Sequence, residues 1–303
     1  MRQSPEPTKD MAKDTAKDTT EKPGDPDRSF NESMKSFHDA LNRRGLLRRK
    51  IRVNTEAFEK TELLDLCRNL ETYLAAHTRR LMKNDRSATV ALIDFKNTPL
   101  VVKKYNPHKW SKFLSRGIRR SKAQKSWRAA QFLAEKKIPT LTPIARIEDR
   151  FFFFKFRSYF ICSYLEGINA DDYFNDSIRG AEEKSVAARR IIKAIQNLHD
   201  QDIFHGDTKR TNILVAPDHI YLLDLDGISF KRLTLNKKRK MIKDWQILYY
   251  TWLESSRENS DIFLNAYKES FSRDFYNHLM HYLKKYQDKK RKQDLRKGKA
   301  LPH

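Results

Sequence analysis

Glycine is scarce in this chain. Only eight of the 303 residues are Gly, where ordinary usage of about 7% would give roughly 21. No G-x-G-x-x-G and no G-x-x-x-x-G-K-[ST] occurs, which excludes chemistry built on a glycine-rich phosphate loop. Cysteine is scarcer still. Cys67 and Cys162 each lie inside an apolar pattern and read as buried reduced thiols rather than a disulfide, an expectation that suits a reducing, cytoplasmic setting. No apolar run approaches the roughly 18 residues of a membrane-spanning helix; Phe151–Phe154 is far too short, and the polar N-terminus has no apolar signal core. Collagen-like, mucin-like and linker-like chains are excluded as well. With 39% hydrophobic and 11% aromatic residues the chain can build a sizeable core, and its length suits one large domain or two lobes of about 100–200 residues each.

Acids are missing where bases are dense. The chain holds 62 Lys+Arg against 39 Asp+Glu, a net charge of +23. Residues 1–29, rich in proline and poor in apolar residues, carry six bases and seven acids, so the excess belongs to the folded part. Val101–Arg128 has ten Lys/Arg and no acid, and Ser229–Lys243 has seven and none. Lys284–Lys299 is a third basic stretch and reads as a helix end or tail. A solvated face explains one such run. Two long ones crowd like charge that an anionic partner would relieve: nucleic acid, an anionic membrane surface, or an acidic glycan.

Periodicity gives the elements. Phe58, Leu63, Leu66, Leu70 and Leu74 predict a helix over Glu56–Ala76. Thr89–Ile93 and Leu100–Tyr105 read as strands joined by a turn at Asn97-Thr98-Pro99. Ser121–Lys136 is helical, with Trp127, Ala130 and Leu133 on one face, and Pro139 and Pro143 follow its end. Phe151–Leu165 reads as two strands. Ala181–Asp200 is an amphipathic helix, Asn212–Ala216 and His219–Leu223 form a small hairpin around Pro217-Asp218, and Met241–Glu254 and Ile262–Tyr286 are helices. A strand-rich first half thus meets a mostly helical second half near residues 163–167.

The chemistry-bearing segment runs from His205-Gly206-Asp207-Thr208-Lys209-Arg210-Thr211-Asn212 to Asp224-Leu225-Asp226-Gly227. Asp207 and Asn212 lie five apart on a polar loop between a buried helix and a buried strand, Lys209 lies between them, and Asp224 ends the next apolar strand. Two carboxylates, an amide and an ammonium brought together suit phosphoryl transfer. One carboxylate positions and deprotonates a hydroxyl, the amide oxygen and second carboxylate hold magnesium, and the lysine neutralises the moving phosphoryl group.

The H-G-D-x-K-x-x-N loop resembles the catalytic loop of the protein-kinase-like fold, and the D-x-D-G segment resembles its metal-binding element, with Asp226 where glycine usually stands. Leu100–Tyr105, Ser121–Arg128 and Ile138–Ala145 further resemble the lipopolysaccharide core kinases of the Kdo/WaaP type. The resemblance extends from about Leu81 to Tyr267. It implies an α+β, two-lobed kinase-like fold, with a small strand-rich N-lobe and a mostly helical C-lobe. It implies ATP and Mg2+, with Asp207 as catalytic base, Lys209 as the phosphate-neutralising residue, Asn212 and Asp224 as metal ligands, and Lys103 on the ATP phosphates. Strand alternation puts Lys104 on the opposite face. The phosphate-covering segment Lys83–Ala88 has no glycine, so Lys83 and Arg86 are expected to supply nucleotide contacts there, with Glu166 at the connector. The glutamate that usually pairs with the strand lysine is missing: between Asp94 and Glu148 the only acid is Glu135. Ser126 occupies a plausible slot, and Gln124, Gln131 or a distant acid can hold Lys103. Asp244 is either the aspartate that braces the loop backbone or an exposed helix residue.

The expected organisation is a disordered tail over 1–35, a helical extension over 36–80, an N-lobe over 81–165, a C-lobe over 166–285 and a basic tail over 286–303. The expected function is phosphorylation of a heptose or Kdo hydroxyl in the lipopolysaccharide inner core. The partners are then a lipid-anchored anionic glycan and an anionic membrane surface, not nucleic acid, and the protein sits on the cytoplasmic face of the inner membrane. An atypical protein kinase and a catalytically silent binding module are the competing readings.

Overall fold

The computed structural model describes residues 26–85, 88–105, 120–152, 154–230, 236–253 and 256–296. Its larger sheet has six antiparallel strands: β1 (Arg48–Val53), β2 (Thr78–Asn84), β3 (Ala88–Phe95), β4 (Thr98–Tyr105), β5 (Pro143–Phe151) and β6 (Phe154–Ser163), in the order β1-β5-β6-β4-β3-β2. The β3–β4 turn is a two-residue hairpin in which Lys96 and Asn97 both take positive φ (52° and 58°), the geometry that matches the right-handed strand twist.

Strand alternation sends the two sides of this sheet to different cores. On one side α2 (Lys60–Arg68) and α3 (Leu70–His77) bury Leu63, Leu66, Cys67 and Leu70 against Leu100, Val102, Ile147 and Ile161. On the other, α4 (Lys122–Glu135) packs Trp127, Ala130 and Leu133 beside Tyr105, Phe160 and Cys162. Each large apolar side chain so buried contributes about 1.5–3 kcal/mol. Ser121 caps α4 by accepting a hydrogen bond from the Gln124 amide at 3.0 Å. Both cysteines are buried and free, and burial pushes each thiol up to about 12.

After the connector the chain is mostly helical. The short strands β7 (Ile168–Asn169), β8 (Ile213–Val215) and β9 (Ile220–Leu222) form a second sheet. Around it lie α5 (Ala170–Asn175), α6 (Ala181–Asp200), α7 (Lys237–Leu253), α8 (Arg257–Ser270) and α9 (Arg273–Arg296). The apolar face of α6 (Ala187, Ile191, Ile195 and Leu198) is fully buried with Trp245, Trp252, Phe263 and Tyr267. The two lobes expected from the sequence are both present.

Several details differ from the sequence reading. The helix expected over Glu56–Ala76 is two helices that break at Asn69 (φ −102°, ψ 18°), and the one expected over Ile262–Tyr286 breaks between α8 and α9. The segment 36–80 contains β1, which pairs with β5 from Arg48↔Arg150 to Val53↔Ala145. The four charged residues of β1 hid a strand. Of the tail over 1–35, residues 1–25 lie outside the described residues; from Pro26 the chain is helical as α1 (Pro26–Arg43). Helix α9 runs past 285 to Arg296, and the rest of the basic tail lies outside the described residues.

One buried carboxylate ties β1 and α1 to this sheet. Asp149 on β5 receives hydrogen bonds from Arg49 Nε (2.8 Å) and Nη2 (3.1 Å), and His38 Nε2 stands 3.6 Å away. Burial opposes its charge, but the Arg49 guanidinium, with the His38 ring nearby, prevails and holds the carboxyl below its usual value of 3.8. A carboxyl depressed on folding contributes stability that is complete above its unfolded pKa and is lost as pH falls toward its folded pKa. Asp149→Asn is therefore expected to cost about 2–3 kcal/mol at neutral pH, with the difference from the native chain shrinking below about pH 4. Urea unfolding across a pH series checks this.

Candidate active site

The loop between α6 and β8 is anchored from beneath by α7. Asp244 is fully buried. Its Oδ2 accepts from the His205 amide (2.8 Å), its Oδ1 from the Gly206 amide (2.6 Å), and its carbonyl from Thr208 Oγ1 (2.6 Å). His199 Nε2 lies 3.1 Å from Oδ2. Of the two sequence readings of Asp244, the structure supports the brace. His205 adds a second tie: its Nε2–H donates to Leu223 O (2.8 Å), while Nδ1 accepts from the Asp207 amide (3.3 Å).

Two glycines permit the close approach of the two loops. Gly206 has φ +85°, and a Cβ there would sit 3.2 Å from Gly227 O; a Cβ on Gly227 would sit 3.0 Å from His205 O. A side chain at Gly206 would be strained by both dihedral and space.

On this base the chemical groups converge. Asn212 Nδ2 donates to Asp207 O (3.0 Å) and Asp207 Oδ2 (2.9 Å). Lys209 Nζ pairs with the same Oδ2 at 3.2 Å. Asp207 Oδ1 and Asn212 Oδ1 have no hydrogen-bond partner among the described residues. Asp224 takes a left-handed backbone (φ 61°, ψ 55°) and points its carboxylate at the N-lobe, where Lys103 Nζ meets Oδ1 at 2.5 Å. Burial opposes the Asp224 charge, but the Lys103 ammonium, helped by Lys122 and Lys209, holds its carboxyl below the usual range.

The distant acid that holds Lys103 is therefore Asp224 itself. Ser126 instead shares a hydrogen bond with Tyr105 Oη (3.1 Å). Lys104 faces the other side, as alternation required, pairing with Glu71 on α3 at 2.7 Å. The register Lys83↔Val90↔Lys103 across β2, β3 and β4 places Lys83 on the same face as Lys103, where it pairs with Asp85 at 2.8 Å. Arg86 lies outside the described residues. Glu166 is exposed on the connector and makes no ion pair or hydrogen bond with these groups.

Sequence reasoning missed one pair. Lys122, the first residue of α4, stands 3.2 Å from Asp226 Oδ2 in ionic contact. The Tyr105 ring lies beside both ammonium groups, 5.2 Å from Lys103 Nζ and 5.5 Å from Lys122 Nζ. The available signal was Asp226 itself, a carboxylate at a position where the resembling element has glycine.

The residues fit a hard divalent cation. Asn212 spends its NH2 on Asp207, leaving its carbonyl oxygen free, and Asp224 adds a carboxylate. One amide oxygen and one carboxylate are the usual protein share of a magnesium site completed by phosphates and water.

The model of the lipopolysaccharide kinase (Kdo/WaaP) family matches residues 101–267, more than half of the chain. A structure of WaaP in complex with acyl carrier protein superposes with a TM-score of 0.55 at 17% identity, covering 80% of this chain and 98% of that one; it is similar in fold. The PknI kinase domain of Mycobacterium tuberculosis aligns at a TM-score of 0.40 and 16% identity, over 58% of this chain and 72% of that one. A probable bifunctional tRNA threonylcarbamoyladenosine biosynthesis protein of Methanosarcina barkeri is 30% identical over 88 residues, 29% of this chain. The match spans only 15% of that relative's length.

Replacing the brace is expected to cost more stability than replacing a loop carboxylate. Asp244→Asn turns a donor toward a buried amide and should lower stability by about 2–3 kcal/mol. Asp207→Asn, at a half-exposed side chain, should stay within about 0.5 kcal/mol. Chemical denaturation of both variants checks the contrast.

Proposed function

Because this chain belongs to the lipopolysaccharide kinase (Kdo/WaaP) family, a family of phosphotransferases, we propose that it transfers the γ-phosphate of ATP to a heptose or Kdo hydroxyl of the lipid-anchored inner core. The observation that carries this reading is the convergence of Lys103, Asp207, Lys209, Asn212 and Asp224 from two lobes on one cleft.

Asp207 is the base. Its Oδ2 is occupied by Asn212 and Lys209, so Oδ1 accepts the proton of the acceptor hydroxyl. The acceptor oxygen forms its bond to the γ-phosphorus as the bond to the β–γ bridging oxygen breaks, and ADP leaves. Lys209 offsets charge on the transferred group. Lys103 on β4, with Lys83 two strands away on β2, binds the ATP phosphates; Arg86 and Glu166 complete the proposed nucleotide contacts. Asn212 and Asp224 would hold Mg2+, which supplies charge neutralisation on the phosphates when bound.

The substrate class rests on charge. Lys103, Lys122 and Lys209 surround Asp224, and in the sequence Lys103 and Lys122 belong to the acid-free stretch Val101–Arg128, with a second such stretch at Ser229–Lys243. Among the described residues no helix is long and apolar enough to cross a membrane. A peripheral position on the cytoplasmic face of the inner membrane lets such a protein meet a lipid-anchored acceptor.

Purified protein with ATP and Mg2+ should phosphorylate inner-core lipopolysaccharide lacking that phosphate, read as a mass gain of one phosphoryl group. Asp207→Ala should lower kcat by about 1000-fold or more with little change in nucleotide binding. Lys103→Met should weaken nucleotide-dependent thermal stabilisation. Full activity of Asp207→Ala would overturn the mechanism. Transfer to protein and not to glycan would replace the acceptor assignment with the atypical protein-kinase reading. No nucleotide-dependent stabilisation would favour a silent binding module.

A further inference from the structure

The hairpin between β5 and β6 ends in aromatic side chains where a turn ordinarily carries Gly, Asn or Asp. Phe152 is 81% exposed and takes a left-handed backbone, φ 51°. Its ring leans on Phe151, centroids 4.8 Å apart. Phe151 and Phe154 pack with Leu41, Leu47 and Phe156 in a small core between the hairpin and α1. Leu46 beside it and Phe37 on α1 are each nearly half exposed. Large apolar side chains gathered at one exposed edge mark an interaction surface.

The ground around this tip is basic. From Ala40 to Thr55 there are six Lys/Arg and no acid. Arg43, Arg44, Arg48 and Lys50 are exposed, with no ion pair among the described residues. The nearest β5 carboxylates point inward: Asp149 is held by Arg49 and Glu148 by Arg146 and Arg150, both acids being almost fully buried. Asp39 is engaged by His38 and Arg157. The outward charge is therefore positive, around an aromatic tip.

We infer that this edge docks on an anionic bilayer, the Phe152 tip entering the headgroup region and Arg43, Arg44 and Arg48 contacting lipid phosphates. Aromatic rings are favoured at the membrane–water interface, and juxtaposed basic residues add attraction to anionic lipid. Register gives the surface a direction. Ala88 opposes Tyr105, Tyr105 opposes Ser158, and Asn84 opposes Thr89. The aromatic tip and the β2–β3 turn therefore project from the same end of the sheet. Resting on the kinase reading only at this point, a bilayer here would lie on the side where phosphate meets a lipid-anchored acceptor.

Co-sedimentation of the full chain with vesicles tests this without any activity measurement. The protein should bind phosphatidylcholine vesicles that contain phosphatidylglycerol and bind pure phosphatidylcholine weakly, with affinity falling as salt is raised. Phe152→Asn, chosen because Asn tolerates this backbone, should weaken binding about tenfold, as should the double change Arg43→Glu and Arg44→Glu. The same charge change on α9, Lys284→Glu with Lys285→Glu, should shift binding by no more than about twofold. All variants should keep the native melting temperature and phosphorylate a delipidated acceptor normally. Equal binding to both vesicle types, or patch variants that bind as the native chain does, would overturn the inference. A dimer dispersed by Phe152→Asn, with vesicle binding unchanged, would assign the surface to a second copy of the chain.

Discussion

Everything at the active centre hangs from the buried carboxylate of Asp244. A fully desolvated carboxylate is tolerable only when its oxygens are saturated by donors, and here the donors are the backbone amides of His205 and Gly206, with the His199 ring alongside. The same bonds that make the charge tolerable fix the loop. The His205 ring then reaches Leu223, which immediately precedes Asp224. One electrostatic requirement inside α7 thus fixes the backbone of both segments, and the two facing glycines let them approach closely enough for that to work. The side chains to which chemistry is proposed can remain half exposed because their backbones are held from below.

Across the cleft the lobes are joined by charge rather than by apolar packing alone. Lys103 on β4 meets Asp224, and Lys122 at the start of α4 meets Asp226. The helix thus presents a cation to the C-lobe, where a kinase-like helix would present a carboxylate to the strand lysine. Helix α4 needs no acid because Asp224 already neutralises Lys103. Under the proposed chemistry this has a consequence for nucleotide binding. Lys103 and Asp224 are each other's partners, yet one is to bind phosphate and the other metal. Nucleotide with magnesium can displace the pair only by offering each group a better counter-charge, so the resting pair sets a threshold that nucleotide or magnesium alone meets less well than both together.

Much of this was legible in the residues. The loop motif, the two strands around Asn97 and the amphipathic helix over Ala181–Asp200 each carry local signals strong enough to stand without tertiary context. The face assignment of Lys103 and Lys104 followed from alternation alone. What escaped notice lacked such a signal. Strand β1 carries only Ile51 and Val53 as apolar residues among Arg48, Arg49, Lys50 and Arg52, too short an alternation to stand out, and β5 offers it a partner and Asp149 a counter-charge. The breaks at Asn69 and before α9 fall inside runs whose apolar period is continuous, so periodicity alone could not mark them. The Lys103–Asp224 and Lys122–Asp226 pairs join residues about a hundred positions apart, and no spacing rule reaches so far.

Under the proposed chemistry, the shortage of glycine also bears on how phosphate would be held. A glycine-rich loop binds phosphate with backbone amides, which hold the ligand by direction and close approach. Here β2, β3 and β4 instead carry Lys83 and Lys103 in one row, and Lys122 and Lys209 approach from the adjoining elements. Ammonium groups attract phosphate from a distance but discriminate poorly by geometry, because each is a mobile, strongly hydrated point charge. A site built this way binds anions readily and selects among them weakly. On the proposed mechanism, selectivity for the acceptor would then arise outside the phosphate pocket, from surfaces that decide which hydroxyl can reach Asp207. That demand accounts for positive charge spread well beyond the catalytic residues.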